Sequence, residues 1–315
     1  MSKKLVYFYG NCHTKVLSSM LESNRKFNEK YKLIGFKSSS CTWYAPNMNK
    51  VQRRKLESSL KDVDVFIHQK ISNNFRGEQW SSDYLKKQTN ARCIWLFNYF
   101  FRGYAPALLR SDPISYIKNE KYTKKATDFD AMFFWFYANG KSCEETFDWM
   151  TNGSSNEASQ LVLKTAKDDL AELKRRQTEQ INLGNEILGM SDIMETWNKN
   201  QLGVFVNHPT MYYYWILCRR ILSSLEVEVA EDETWKWHTS KYHFQNDDRI
   251  YNYVRQTCPD VEWPKSLTTF NGRKGTYFTE FTLDWVKQQF EKFKQFEDGC
   301  LASYKQHKIQ KFLPL

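Results

Sequence analysis

Five consecutive apolar, β-favouring residues, Leu5 to Tyr9, read as a fully buried strand. Gly10-Asn11 interrupts the run, and Val16, Leu17, Met20 and Leu21 then recur at helical spacing. The next strand candidates are residues 31–36, 63–68 and 91–101, with a polar helix expected from Asn47 to Leu60. Strands alternating with helices at this spacing predict βαβ units and a mainly parallel sheet, flavodoxin-like in class. In such sheets ligands bind beyond the carboxyl ends of the strands. Those ends here carry residues 10–13, 68–69 and 98–104.

From about Asp128 the texture becomes helical. Helices are expected over residues 159–180, a polar pattern with Leu161, Leu163, Leu170 and Leu173 among many charges, and over 187–197. A short strand at 201–206 precedes Asn207-His208-Pro209-Thr210 and a further helix. Thr282 is placed to cap a last amphipathic helix that buries Trp285, Val286, Phe290 and Phe293. The division is therefore an α/β core over 1–125 and a mostly helical part over 126–315, which returns His208 to the site.

Composition narrows the class. Of 315 residues, 41% are hydrophobic and 16% aromatic, which suits a folded protein with a substantial core and excludes a disordered chain. The net charge of +10 is compatible with a phosphate-bearing ligand, an anionic membrane surface or nucleic acid. The basic residues are dispersed, without a basic tail or an RNA-binding signature, so nucleic acid is not the expected partner. The seven cysteines are scattered with no C-x-x-C spacing, which argues against a metal site and for a reducing compartment. The apolar stretches are too short for a signal core or a membrane span. A soluble, cytoplasmic protein is expected, with peripheral membrane contact open.

The candidate chemistry starts at Gly10-Asn11-Cys12-His13. Glycine permits a tight turn after the strand, and Cys12 would meet the positive end of the following helix, which favours the thiolate. Asn11 and backbone N–H groups near Cys12 could stabilise an oxyanion. Strand, turn, nucleophile and helix is also the layout of SGNH-type hydrolases and acyltransferases, which use serine at this point. The same residues also suit a plain turn with a buried cysteine. His208 could act as the base or acid paired with Cys12, with Asp192 as an orienting acid, or be a hydrogen-bonded structural histidine. His68 and Gln69 suit substrate binding or structural capping. Arg102 and Tyr104, beside Gly103, could clamp a phosphate and stack on a purine, or form an ordinary loop. Nucleotide-triphosphate and metalloprotease motifs are absent from the sequence.

These segments occur in a recognisable order. Val6–His13, Asp64–Gln69, Phe101–Pro106, Leu173–Gln177 with Met190–Ile193, and Phe205–Thr210 together resemble the WcbI family of polysaccharide biosynthesis. The likeness runs from about Leu5 to Leu225, and His13 stands where the family usually has glutamine. It implies an SGNH-like α/β core and a coenzyme A or acetyl-coenzyme A cofactor. It also implies acetyl transfer to a carbohydrate acceptor, with Cys12, His208 and Asn11 catalytic. Gly10, His13, His68, Gln69, Arg102 and Tyr104 would then line the cofactor site. A carbohydrate esterase, a sulfuryl transferase and a non-catalytic glycan- or nucleic-acid-binding module are the other classes the residues allow.

Overall fold

The computed structural model describes residues 2–11, 13–34, 50–73, 77–104, 108–110, 128–153, 156–200, 202–205, 207–229, 258, 260–262 and 282–294. The first half runs β1 (Lys4–Tyr9), α1 (His13–Glu22), α2 (Arg25–Lys30), β2 (Tyr31–Leu33), α3 (Lys50–Lys61), β3 (Val65–Gln69), α4 (Ser82–Lys86) and β4 (Arg92–Leu96). It continues with β5 (Leu108–Arg110), β6 (Asp128–Asp130), α5 (Ala131–Ala138), α6 (Cys143–Asn152) and α7 (Asn156–Asn182). The remainder is β7 (Glu186–Leu188), α8 (Ser191–Met194), β8 (Gly203–Phe205), β9 (His208–Pro209), α9 (Met211–Ser224) and α10 (Leu283–Phe293).

The main sheet has the order β2-β1-β3-β4-β7, and all its pairings are parallel. The chain steps from β1 to one side, then crosses back to β3 on the other. The carboxyl ends of β1 and β3 therefore flank the switch point of the sheet, the usual crevice for a ligand in this topology. The strands alternate as a sheet covered on both faces requires. Val6, Phe8, Val65, Ile67, Ile94 and Leu96 join the larger core with Val16, Leu17, Met20 and Leu21 of α1. Tyr7, Tyr9 and Phe66 turn to the other face, against Leu56 and Leu60 of α3 and Trp80.

One expectation changes. The stretch 187–197 is not one helix: residues 186–188 form β7 beside β4, and only 191–194 are helical. Pairing with β4 wins over local helical spacing here, and Arg92 reinforces it by gripping Glu186 through Nε at 2.8 Å and Nη2 at 2.5 Å. The part expected to be mostly helical thus supplies a strand of the sheet. Along α7 one stripe turns inward. Ala158, Ser159, Val162 and Ala166 are buried, whereas Leu163 is 42% exposed. Small residues let the helix approach the core closely, and the stripe leads on to Leu170 and Leu173.

Other elements match their sequence signals. Thr282 accepts a hydrogen bond from Trp285 N at 3.3 Å, and Trp285, Val286, Phe290 and Phe293 of α10 are all buried. Their burial contributes on the order of 1.5–3 kcal/mol each. Phe133 and Phe134 of α5 meet Trp285 and Phe293 edge-on at ring separations of 4.9 and 5.0 Å. Among the described residues no helix is long and apolar enough to cross a membrane.

Candidate functional site

The turn after β1 is built by three hydrogen-bond commitments. Asn11 N donates to Gln69 Oε1 at 2.8 Å, His13 N donates to Asn11 Oδ1 at 2.9 Å, and Thr14 N donates to Asn11 O at 3.1 Å. The Asn11 side chain therefore caps the start of α1, in the way asparagine competes for local backbone groups. Asn11 Nδ2 faces Asn98 Oδ1, just beyond β4, at 3.3 Å. The backbone donors of Asn11, His13 and Thr14, expected as oxyanion ligands, are thus engaged inside the protein. The Asn11 amide keeps a second N–H for another acceptor.

Gly10 is required by packing. A Cβ at this position would lie 2.6 Å from Thr14 Cγ2 and 3.0 Å from Gln69 Cδ, and closer still to Gln69 Oε1. Gln69 is itself buried, its carbonyl accepting from Ser82 Oγ at 2.8 Å. His68 and Gln69, adjacent in sequence, go to opposite faces of the sheet, as strand alternation demands. Gln69 supports the turn. His68 lies between Phe66 and Trp95, with ring separations of 5.0 and 5.8 Å. Burial pushes the His68 imidazole down to about 4, so it is neutral near pH 7.

His13 joins the two halves of the chain. Its Nε2 lies 2.8 Å from the carbonyl oxygen of Asn207, and its ring meets Tyr214 edge-on at 5.8 Å. A carbonyl can only accept, so Nε2 carries a proton. The β8–β9 pair, with Phe205 opposite His208, presents Asn207 to the turn. Asn207 Oδ1 is buried without a hydrogen-bond partner among the described residues. Cys12 and the His208 side chain lie outside the described residues. Burial, the main cause in each case, raises the pKa of the thiols of Cys93, Cys143 and Cys218. None of these three therefore has the electropositive setting of a nucleophilic thiolate.

Three other sequence candidates have firm partners. Arg102 donates from Nε and Nη2 to Asp169 Oδ1 at 3.1 and 2.5 Å, and its backbone N–H donates to Oδ2 at 2.7 Å. The Asp169 carboxylate raises the guanidinium pKa further. Tyr104 is only 2% exposed, so its ring offers no face to a purine. Its hydroxyl accepts from Leu202 N at 3.0 Å and faces the carbonyls of Trp197 and Asn200. Asp192 gives both carboxylate oxygens to Arg220, at 2.9 and 2.5 Å.

Gly10, Asn11, His13 and Gln69 are therefore brought together, while His68 faces away and Tyr104 belongs to the core. Sequence reasoning passed over Asn98 and Asn207 as site residues. Their signal was position, since Asn98 follows β4 at the carboxyl edge of the main sheet and Asn207 directly precedes His208. Asp169 had no such signal, being one acid among many on a polar helix.

No curated protein matches the sequence. A solved structure of WcbI, described as a novel polysaccharide biosynthesis enzyme, superposes with a TM-score of 0.67 at 17% identity, covering 96% of this chain and 94% of that one. That structure is described as the native protein without a disulfide bond between coenzyme A and one of its cysteines. At this identity the match establishes a shared fold. Residues 5–230 match the family of the polysaccharide biosynthesis enzyme WcbI, and with more than half of its length matched the chain belongs to that family.

Proposed function

We propose that the protein transfers an acyl group, acetyl in the simplest case, from coenzyme A to a carbohydrate hydroxyl. The observation that carries this reading is the His13–Asn207 hydrogen bond, because it holds the backbone beside His208 against the turn that contains Cys12. The described residues fit the thioester end of coenzyme A. Gly10 keeps the turn close, Asn11 Nδ2 has an N–H to donate, and Asn207 Oδ1 is a buried acceptor without a partner among the described residues. The relative whose description names coenzyme A together with a cysteine supports the same choice.

Bound coenzyme A would supply an activated acyl thioester. Asn11 donates to the oxygen on which negative charge develops. His208 accepts the proton of the sugar hydroxyl and returns it to the departing sulfur. Cys12, directly before α1, is the candidate nucleophile of a two-step route, and full transfer activity in Cys12→Ser would exclude that route. The neutral, stacked His68 is left out of the proton transfer. Arg102 and Tyr104 are left out of phosphate and purine binding, because their partners are internal.

The test is calorimetry with coenzyme A and acetyl-coenzyme A on wild type and His208→Ala. Micromolar binding to both proteins, with transfer lost only in the variant, is the expected result. No binding by the wild type would overturn the reading and leave an esterase or a binding module.

A further inference from the structure

A cleft of about 590 Å³ opens beyond the carboxyl ends of β3 and β4, with α7 as its opposite wall. Its volume lies within the range of small-molecule sites. Three aromatic residues form one side, and of them only Phe100 is exposed. Trp95 and Phe97 stack at 6.2 Å with an interplanar angle of 12°, and Phe100 is 50% exposed. Asn98 also lines the cleft and is the residue bonded to Asn11, so one side chain links the cleft wall to the turn.

Charge decides what the cleft can hold. Each of its four cations is already matched by a carboxylate. Lys70 pairs with Asp83 at 2.7 Å and Arg102 with Asp169 at 2.5 Å. Arg175 meets Glu172 at 2.7 Å and Glu179 at 3.1 Å, and Arg176 meets Glu172 at 2.6 Å. Asp168 adds an exposed negative charge at the rim. A di- or triphosphorylated ligand would meet no uncommitted cation here and several carboxylates. The exposed ring of Phe100, with Arg102 over it at 5.9 Å and carboxylates and amides around it, suits a different ligand. The apolar C–H face of a pyranose lies on an aromatic ring, and its hydroxyls both donate and accept at the rim.

We infer that this cleft is the acceptor subsite and that it takes an uncharged saccharide, seated on Phe100 between the Trp95–Phe97 wall and the Arg102–Asp169 pair. The assignment rests on the acyl-transfer reading only for the word acceptor. The saccharide specificity follows from the cleft itself. Asn98, shared between the cleft wall and the Asn11 hydrogen bond, is the link from this subsite to the turn.

The test is saturation-transfer NMR on the full chain with methyl α-D-glucopyranoside, methyl α-D-galactopyranoside, methyl α-D-mannopyranoside, maltotriose and glucose 6-phosphate as probes. Coenzyme A affinity is followed in parallel by calorimetry. At least one neutral sugar should bind the wild type, and no less tightly than glucose 6-phosphate. Phe100→Ala should weaken that sugar about tenfold, and Phe100→Trp should restore it, since stacking on an aromatic face is what is removed and returned. Coenzyme A affinity should change less than about threefold in both variants, well short of the tenfold that a lost stacking contact can cost. Three results would overturn the inference: no neutral sugar binding, tighter binding of the phosphorylated sugar, or sugar affinity indifferent to Phe100→Ala. A tenfold loss of coenzyme A affinity in Phe100→Ala would instead make the cleft part of the donor site. If the wild type binds a neutral sugar through Phe100 but no coenzyme A, the saccharide cleft stands and acyl transfer falls.

Discussion

Replacing Gly10 by alanine would put a methyl group 2.6 Å from Thr14 Cγ2 and 3.0 Å from Gln69 Cδ, where ordinary contact needs well over 3 Å. Thr14 is buried, its β-branched side chain is stiff, and its hydroxyl is held by Asn11 O at 2.8 Å. Gln69 is the side that gives way, and moving its amide breaks the 2.8 Å bond from Asn11 N. Loss of that bond costs roughly 0.5–1.5 kcal/mol. Crowding of the turn adds about 1–3 kcal/mol. The sum, about 1.5–4.5 kcal/mol, should appear as a lower urea midpoint at unchanged slope. A double-mutant cycle with Gln69→Ala isolates the cause. With the amide gone, Gly10→Ala should cost at least about 1 kcal/mol less than in the wild type. A cost below about 0.5 kcal/mol for the single variant, or strictly additive effects in the cycle, would refute the argument that Gln69 sets the need for glycine.

Two further outcomes follow from the same geometry. His68 titrates near 4 when folded and near 6.5 when unfolded, so the unfolded chain binds the extra proton between these values. Stability from this group is complete above pH 6.5 and is lost as the pH falls toward 4, a change of about 3 kcal/mol. His68→Phe should flatten that part of the stability–pH curve, and an unchanged curve would show that His68 is not the group responsible. Thr282→Ala removes the cap of α10 and should cost about 1 kcal/mol in urea unfolding, with Thr282→Ser retaining most of it.

Much of the local architecture was readable in advance. The strand at Leu5–Tyr9, the turn at Gly10, the apolar face of α1 and the Thr282 cap each depend on residues within a turn or two of one another. The side-chain periods of 2 and 3.6 and the needs of helix ends are local physics. The same physics left 187–197 misread, because a three-residue strand has too little local signal and exists through its pairing with β4. Along α7, likewise, only the tertiary packing separates the inward Ala158, Val162 and Ala166 from the exposed Leu163.

What the sequence determined by itself was the class of the fold and the family. Those features follow from short-range pattern and from the order of motifs along the chain. The tertiary structure decided which partner each polar group takes. Arg102 finds Asp169 across 67 positions, His13 finds Asn207 across 194, and Gln69 rather than His68 supports the turn. Such pairings close long loops, whose entropy is offset only when the whole core forms, so no local window of sequence contains them. They also turn an arginine suited to phosphate into half of a neutral ion pair beside an aromatic cleft.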